Sequence, residues 1–203
     1  MLVFATLGPA GSNHDWVAQR YLAFHGLTNA RLVLYADFEA AFQNLLAGEV
    51  DHVVQVAVHA SVPDTVARLR GRAHVIDTFL SPSQPMAVLT RRAVARPRSL
   101  GLQMATRGYV DTTRWDDLVA EPSTVDVGRG LLAGQYDSGI TLLRYADEHA
   151  EMLRLDETIG TVVDPWLVYG TVATAGDAPL IWPDSPAAQR FLRAGPAERT
   201  PGA

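Results

Sequence analysis

Two histidines and a set of arginines are the side chains whose types and positions best suit proton transfer and anion binding. His14 follows a glycine-containing turn, and His59 ends an apolar run and stands two residues before Ser61. A histidine can change charge near neutral pH, so we expect either ring to donate or orient a proton. All 17 basic residues are arginines, and a guanidinium can hold a carboxylate through two parallel hydrogen bonds.

Lysine and cysteine are absent from the sequence. Without lysine the chain cannot form a Schiff base with a carbonyl compound or supply a phosphate-loop lysine. Without cysteine it has no thiolate nucleophile, disulfide, iron–sulfur cluster or structural zinc site of the usual kind. The other histidines, at 25, 52, 74 and 149, show no metal-ligand spacing. We therefore expect chemistry from Asp, Glu, His, Arg, hydroxyls and amides, with no metal and no cofactor.

The composition is that of an ordinary folded protein, with 48% hydrophobic and 19% charged residues and a net charge of −5. Nucleic-acid binding usually needs a clustered basic face and a high isoelectric point, which this composition does not favour. No run approaches the roughly 18 apolar residues that span a bilayer, and Met1 leads directly into a strand-like segment. We expect a cytoplasmic protein with a small-molecule ligand and no nucleic-acid or membrane partner.

Strand-like and helix-like segments alternate through the first 60 residues. Ser12 or Asn13 suits the N-cap of the first helix, and Asp37 suits that of the second. The run from 50 to 58 is nearly all apolar and rich in β-branched residues, which is typical of a strand buried on both faces. The alternation predicts an α/β fold with a parallel sheet. The predicted segments are strands at 2–7, 31–35 and 50–58 and helices at 16–24 and 38–46.

A local pattern occurs twice: LLAGEVD at 45–51 returns as LLAGQYD at 131–137. Each copy would end a helix at a glycine and start a strand after an aspartate. The pair indicates either two similar α/β lobes or a common connector that occurs twice by chance. Clefts between lobes are favoured ligand sites. The predicted division is a first lobe at 1–82 plus 164–182, a second lobe at 83–163, and a weakly ordered tail at 183–203.

The opening residues, LGPAGS at 7–12, resemble the LGPxGT/S signature of prephenate dehydratases. The resemblance continues through three strand segments, Gly48–Val58, Gly134–Leu142 and Trp166–Gly170. It implies two similar lobes around a cleft, as in type II periplasmic binding proteins. The stretch after Trp182 is too short for the regulatory ACT domain of many dehydratases, so neither that domain nor control by phenylalanine is expected.

Two positions depart from the dehydratase pattern. Dehydratases have Thr-Arg-Phe before the last strand, where the threonine assists loss of the ring hydroxyl, and this chain has Asp164-Pro165-Trp166. They have Glu-Asn-Ser after the third strand, and this chain has His59-Ala60-Ser61. With the step Pro85-Met86, these changes resemble the prephenate decarboxylases of the bacilysin pathway. The resemblance implies a homodimeric carboxy-lyase that keeps the ring hydroxyl and serves antibiotic biosynthesis.

The substrate of such an enzyme carries two carboxylates, and two turns are candidates to bind them. Gly11, Ser12 and Asn13 stand at a helix N-terminus, where free amides and the helix dipole favour an anion. Thr106 and Arg107 lie at the matching turn of the predicted second lobe. The alternative is that the first turn is only a helix cap and Arg107 a solvated charge.

The remaining candidates are assigned to catalysis and to the pocket wall. His59 and His14 are the candidate proton donors, although a buried histidine can also serve packing alone. Asp164 is either a proton relay or a turn residue before proline. Ser61, Met86 and Trp166 are expected to line the pocket.

Two other functions remain open. The chain is compatible with a prephenate dehydratase or an enzyme that acts on another chorismate-derived acid. It is also compatible with a binding module for a small organic anion, because this fold serves solute receptors as well as enzymes.

Overall fold

The computed structural model describes residues 1–173, 182, 185 and 189–190. The chain divides into two units, 1–173 and 174–203, and both sheets belong to the first unit. The predicted tail at 183–203 lies almost wholly outside the described residues. In the described part of the chain, no helix is long and apolar enough to cross a membrane.

The first unit contains ten strands and five α-helices. The strands are β1 Val3–Leu7, β2 Arg31–Tyr35, β3 His52–Val56, β4 His74–Pro82, β5 Met86–Arg91, β6 Ser99–Leu102, β7 Asp117–Ala120, β8 Ser138–Leu142, β9 Leu153–Gly160 and β10 Val163–Gly170. The helices are α1 Asn13–Phe24, α2 Phe38–Ala47, α3 Val62–Arg68, α4 Thr124–Leu132 and α5 Arg144–Glu148. Two 3₁₀ segments, Met104–Tyr109 and Thr112–Arg114, follow β6.

The first lobe has a sheet with the strand order β2-β1-β3-β10-β4. β1 pairs in parallel with β2 and β3, whereas β10 pairs antiparallel with β3 and β4. The sheet is therefore mixed, and the prediction of a parallel sheet was wrong for this strand. The reason is that β10 enters from the second lobe and runs opposite to its neighbours.

The second lobe has the corresponding order, β7-β6-β8-β5-β9. β6 pairs in parallel with β7 and β8, and β5 pairs antiparallel with β8 and β9. The two copies of the repeated pattern lead into β3 and β8, which have the same place in the two sheets. Gly48 and Gly134 after the helices have positive φ angles of 77° and 75°. The interpretation of the repeat as two similar lobes is confirmed.

Local capping and burial explain the helices of the first lobe. The Ser12 side chain accepts a hydrogen bond from the Asp15 amide at 3.3 Å and caps α1. Asp37 caps α2 by accepting from the Ala40 amide at 2.8 Å. α1 packs Val17 against the sheet, and β3, between α2 and α3, is buried along most of its length.

Two short segments connect the lobes and bond to each other. The Ser83 amide donates to the Val162 carbonyl at 2.7 Å, and the Val162 amide donates to the Ser83 hydroxyl at 3.0 Å. These bonds join the link between β4 and β5 to the link between β9 and β10. The lobes are therefore connected by two chain segments that are hydrogen-bonded to each other.

Candidate functional site

Four of the predicted site residues meet at one edge of the first sheet. β1 and β3 are parallel, so their carboxyl ends lie at the same edge, and antiparallel β10 begins there. His14 lies in the first turn of α1 after β1, and His59 and Ser61 follow β3. Trp166 of β10 lies opposite Val56 near the end of β3.

The rings of this cluster are in direct contact. The ring centroid of His14 lies 5.3 Å from that of Trp166 and 6.2 Å from that of His59. Phe38, the first residue of α2, lies 5.6 Å from His14 and 4.9 Å from His59. We call His14, His59, Trp166 and Phe38 the ring cluster. Phe38 was not predicted as a site residue. The Asp37 N-cap signal nevertheless predicted that α2 begins at this point of the chain.

Ser61 fixes the tautomer of His59. The Ser61 hydroxyl lies 2.8 Å from His59 Nδ1, and the Ser61 amide donates to the same atom at 3.2 Å. Because a backbone amide only donates, Nδ1 is the acceptor and the proton of the neutral ring is on Nε2. Gln55, buried in β3, donates to the Ser61 hydroxyl at 3.0 Å and thereby orients it. No pattern in the sequence marked Gln55 for this role.

Both histidines are neutral imidazoles at neutral pH. Burial, with a smaller contribution from His59, lowers the pKa of His14 from 6.5 to about 3. Burial also lowers the pKa of His59. The prediction that His14 changes charge near neutral pH is therefore corrected, because its position between aromatic rings disfavours the imidazolium.

Two polar atoms of the ring cluster have no hydrogen-bond partner within the described residues. They are Nε2 of His14 and Nε1 of Trp166, and both are buried. Buried polar groups are normally hydrogen-bonded, so each unpaired one needs an explanation. These two atoms are therefore the candidates in this cluster for a hydrogen bond to a molecule from outside the chain.

A groove of about 850 Å³ opens beside the ring cluster. It lies between α2 and α3, with His59 and Ser61 in its wall and Pro122 of the second lobe at its border. Its apolar wall includes Phe38 and Phe42 of α2. Its charged residues are Asp37 and Glu39 near the start of α2 and Arg68 and Arg72 at and after the end of α3.

The predicted binding turn at 11–13 is partly occupied by the protein itself. The Gly11 amide donates to the Asp15 carboxylate at 2.7 Å, and the Asn13 side chain accepts from the Gln84 amide at 2.9 Å. Arg144 of the second lobe donates to the Gly11 carbonyl at 3.3 Å and also bonds to Gln84 Oε1. The turn therefore joins the lobes, and the sequence did not reveal this function of Gln84 and Arg144.

Three predicted residues of the second lobe do not line the groove. Thr106 is buried and donates to the Gln103 carbonyl at 2.7 Å. Arg107 is exposed, and within the described residues its side chain forms neither a hydrogen bond nor an ion pair. Both belong to the 3₁₀ segment after β6, so the α-helix N-terminus expected at this turn does not form. Met86 is 2% exposed and packs in the core of the second lobe.

Asp164 lies in β10 opposite Ser81 of β4 and is partly buried. Burial raises the pKa of its carboxyl group, so the protonated form persists to higher pH than usual. Tyr109 of the second lobe has a raised pKa because of burial and, to a smaller extent, the charge of Asp164. Asp164 is therefore close enough to the second lobe to influence it electrostatically.

Comparisons with solved structures show the fold. A prephenate dehydratase from Arthrobacter aurescens in complex with L-Phe is similar over 95% of this chain and 71% of that chain, with a TM-score of 0.61 and 20% identity. A quorum-quenching acylase is similar over 88% and 67%, with a TM-score of 0.54 and 13% identity. The periplasmic VFT2 domain of BvgS from Bordetella pertussis is similar over 84% and 80%, with a TM-score of 0.51 and 15% identity.

No protein-family model matches the chain, and no curated protein matches it in sequence. The structural similarities identify a mixed α/β protein with the two-lobed fold shared by prephenate dehydratases and periplasmic binding domains. The predicted fold class is thus confirmed.

Proposed function

We propose that this protein is a prephenate decarboxylase that releases carbon dioxide without aromatising the ring, for use in specialised-metabolite biosynthesis. The observation that carries the proposal is the pair of neutral histidines, His14 and His59, in the ring cluster. Loss of the ring hydroxyl as water requires a proton, and a neutral imidazole can hydrogen-bond to a hydroxyl without protonating it. The fold shared with a prephenate dehydratase supports a substrate of this class.

The reaction needs no external electron sink. The bond between the ring and its carboxylate breaks, and its electron pair moves into the ring diene. One proton then adds to a ring carbon, so prephenate and a proton give carbon dioxide and a dihydro-4-hydroxyphenylpyruvate. The absence of lysine and cysteine is compatible with this chemistry, because the diene itself accepts the electrons.

The surroundings of the ring cluster favour loss of a carboxylate. Phe38 lines the groove, Trp166 contacts the His14 ring, and both histidines are uncharged. A carboxylate that becomes carbon dioxide loses its charge, so an apolar site stabilises the transition state more than the charged ground state.

Asp164 is the proposed source of the proton for the ring carbon. Its pKa is raised, so its protonated fraction is larger than that of an ordinary aspartate and decreases as the pH rises through that raised pKa. We therefore expect turnover that depends on this proton to fall as the pH rises through the raised pKa of Asp164.

A product assay tests the proposal. Purified protein is incubated with prephenate while carbon dioxide, the ultraviolet spectrum and the product mass are followed. Carbon dioxide with a product that keeps the hydroxyl is the expected result. Phenylpyruvate would identify a dehydratase instead, and prephenate binding without turnover would identify a binding module. Asp164→Asn removes the proposed proton source and leaves the residues of the ring cluster unchanged. Assayed beside the parent, this variant should turn over prephenate more slowly.

A further inference from the structure

We propose that Arg68 and Arg72 form a carboxylate-binding site on the α3 side of the groove. The ligand is an organic acid with an aromatic or apolar body that lies along Phe38 and Phe42 and reaches His59. Both arginines line the same groove as these residues. Which acid binds rests on the proposed function, whereas the site itself follows from the groove.

The two guanidinium groups are free to bind a ligand. Neither guanidinium group has a hydrogen bond or an ion pair within the described residues, and both side chains belong to exposed residues. Six other arginines hold acidic partners within 4.0 Å. These six are Arg91, Arg98, Arg114, Arg129, Arg144 and Arg154.

The acidic side chains of the groove set the orientation of the ligand. Asp37 and Glu39 lie at the start of α2, where Asp37 accepts a hydrogen bond from the Ala40 amide at 2.8 Å. The positive end of the helix dipole stabilises these carboxylates in place. Asp37 and Glu39 would repel a carboxylate of the ligand. The ligand's anionic group is therefore directed to the α3 side of the groove, where guanidinium groups can bind it through paired hydrogen bonds.

The position of the arginines distinguishes the two carboxylates of a prephenate-like substrate. An ion pair with the carboxylate that leaves would stabilise the ground state and slow its departure. We therefore assign the pyruvyl carboxylate, which the product keeps, to Arg68 and Arg72. The ring carboxylate then lies toward the uncharged ring cluster.

The test compares the double variant Arg68→Ala/Arg72→Ala with two controls. Arg70→Ala removes an exposed arginine of the same segment that does not line the groove, and Arg107→Ala removes the arginine predicted from the sequence. Binding of phenylpyruvate and of prephenate is measured by calorimetry, at low and at high salt. Thermal unfolding verifies that each variant is folded.

The double variant should bind both acids roughly 10- to 100-fold more weakly, as expected for lost hydrogen bonds between charged groups. Its KM should rise while kcat changes little, and the salt dependence of binding should decrease. Arg70→Ala should match the parent. An unchanged affinity in the double variant, a loss confined to Arg107→Ala, or no binding of either acid by the parent overturns the inference.

The same experiment separates the inference from the proposed function. If the double variant loses affinity but the parent releases no carbon dioxide, the carboxylate site stands and the decarboxylase proposal fails. If the parent releases carbon dioxide and the double variant keeps its KM, the decarboxylase proposal stands and the carboxylate site fails.

Discussion

The two lobes share a strand order but differ in how many of their buried polar atoms lack a hydrogen-bond partner within the described residues. In the second lobe, the buried Tyr136 hydroxyl donates to the Val127 carbonyl at 2.7 Å and the Thr141 hydroxyl donates to the Thr124 carbonyl at 2.6 Å. Two buried nitrogens there lack partners within the described residues, those of Arg91 and Trp115. In the first lobe, five buried polar atoms lack a partner within the described residues. They belong to His14, His52, Gln55, Trp166 and Tyr169.

The difference bears on which lobe is adapted to bind a ligand. An unpaired buried polar group costs about 1–3 kcal/mol of stability, so a cluster of them is retained where it has another use. Three of the five atoms in the first lobe belong to His14, Gln55 and Trp166, at or directly behind the ring cluster. We infer that the first lobe is adapted to bind a ligand, and that the second is adapted to stable packing.

The largest expected effect is on turnover, from His59→Ala in the first lobe. The substitution removes the Nε2 hydrogen-bond donor that Ser61 orients. Loss of a positioned hydrogen-bond donor in an active site costs roughly 100-fold or more in turnover. The pKa of His59 is lowered, so the neutral ring of the parent persists below pH 6.5 and is lost only as the pH falls further. Steady-state kinetics with prephenate between pH 5 and 9 measure both effects.

The control for this substitution is His25→Ala. His25 lies outside the ring cluster, at the end of α1, and should change turnover less than twofold. Equal activity of His59→Ala and the parent would mean that the first-lobe edge is not the site of the reaction.

The next effect is on the stability of the second lobe, from Gly101→Ala in β6. A Cβ atom at Gly101 would lie 2.2 Å from Cε2 of Tyr136, whose hydroxyl is held by Val127. Overpacking of this kind costs about 1–3 kcal/mol. In the first lobe, β1 corresponds to β6 and has Ala5 at the position of Gly101. Ala5 pairs with both neighbouring strands, β2 and β3. Urea unfolding should show the loss of stability.

Gly108→Ala is the matched control, because no atom lies within 4 Å of the added Cβ and its φ is not positive. Its stability should stay within about 0.5 kcal/mol of the parent. If Gly101→Ala also left the free energy of unfolding unchanged, the packing of the second lobe would be looser than the contact with Tyr136 implies.

The sequence was sufficient for the parts of the fold that depend on local signals. The Ser12 and Asp37 caps, the repeated helix end and the buried strand before His59 each follow from residue type and spacing. His14 and His59 were both selected as candidate proton donors. Their contact is explained by the parallel pairing of β1 and β3, whose carboxyl ends lie at one edge of the sheet. The direction of β10 was not predictable in this way, since the apolar pattern of a strand is the same in both directions.

The parts of the site that depend on tertiary contacts were missed. Arg68 and Arg72 line the groove because α3 and the turn after it border the same space as α2, and no helix was predicted there. Arg107 was placed by analogy with the turn before α1, but the chain forms a 3₁₀ segment at that point. Gln84 and Arg144 join the lobes through contacts that are distant in sequence, so no local pattern marks them.

The smallest expected effect, and the most direct test of the comparison, comes from one chemical change made in each lobe. Tyr136→Phe removes a hydroxyl that donates at 2.7 Å, and it should destabilise the protein by about 1 kcal/mol. Tyr169→Phe removes a buried hydroxyl without a partner among the described residues, and it should stabilise the protein by about 1 kcal/mol. Burial raises the pKa of Tyr169 to about 12, so its hydroxyl stays protonated in both measurements at neutral pH. Opposite signs in urea unfolding support a first lobe that gives up stability for its site, whereas equal signs would mean that the lobes do not differ in this respect.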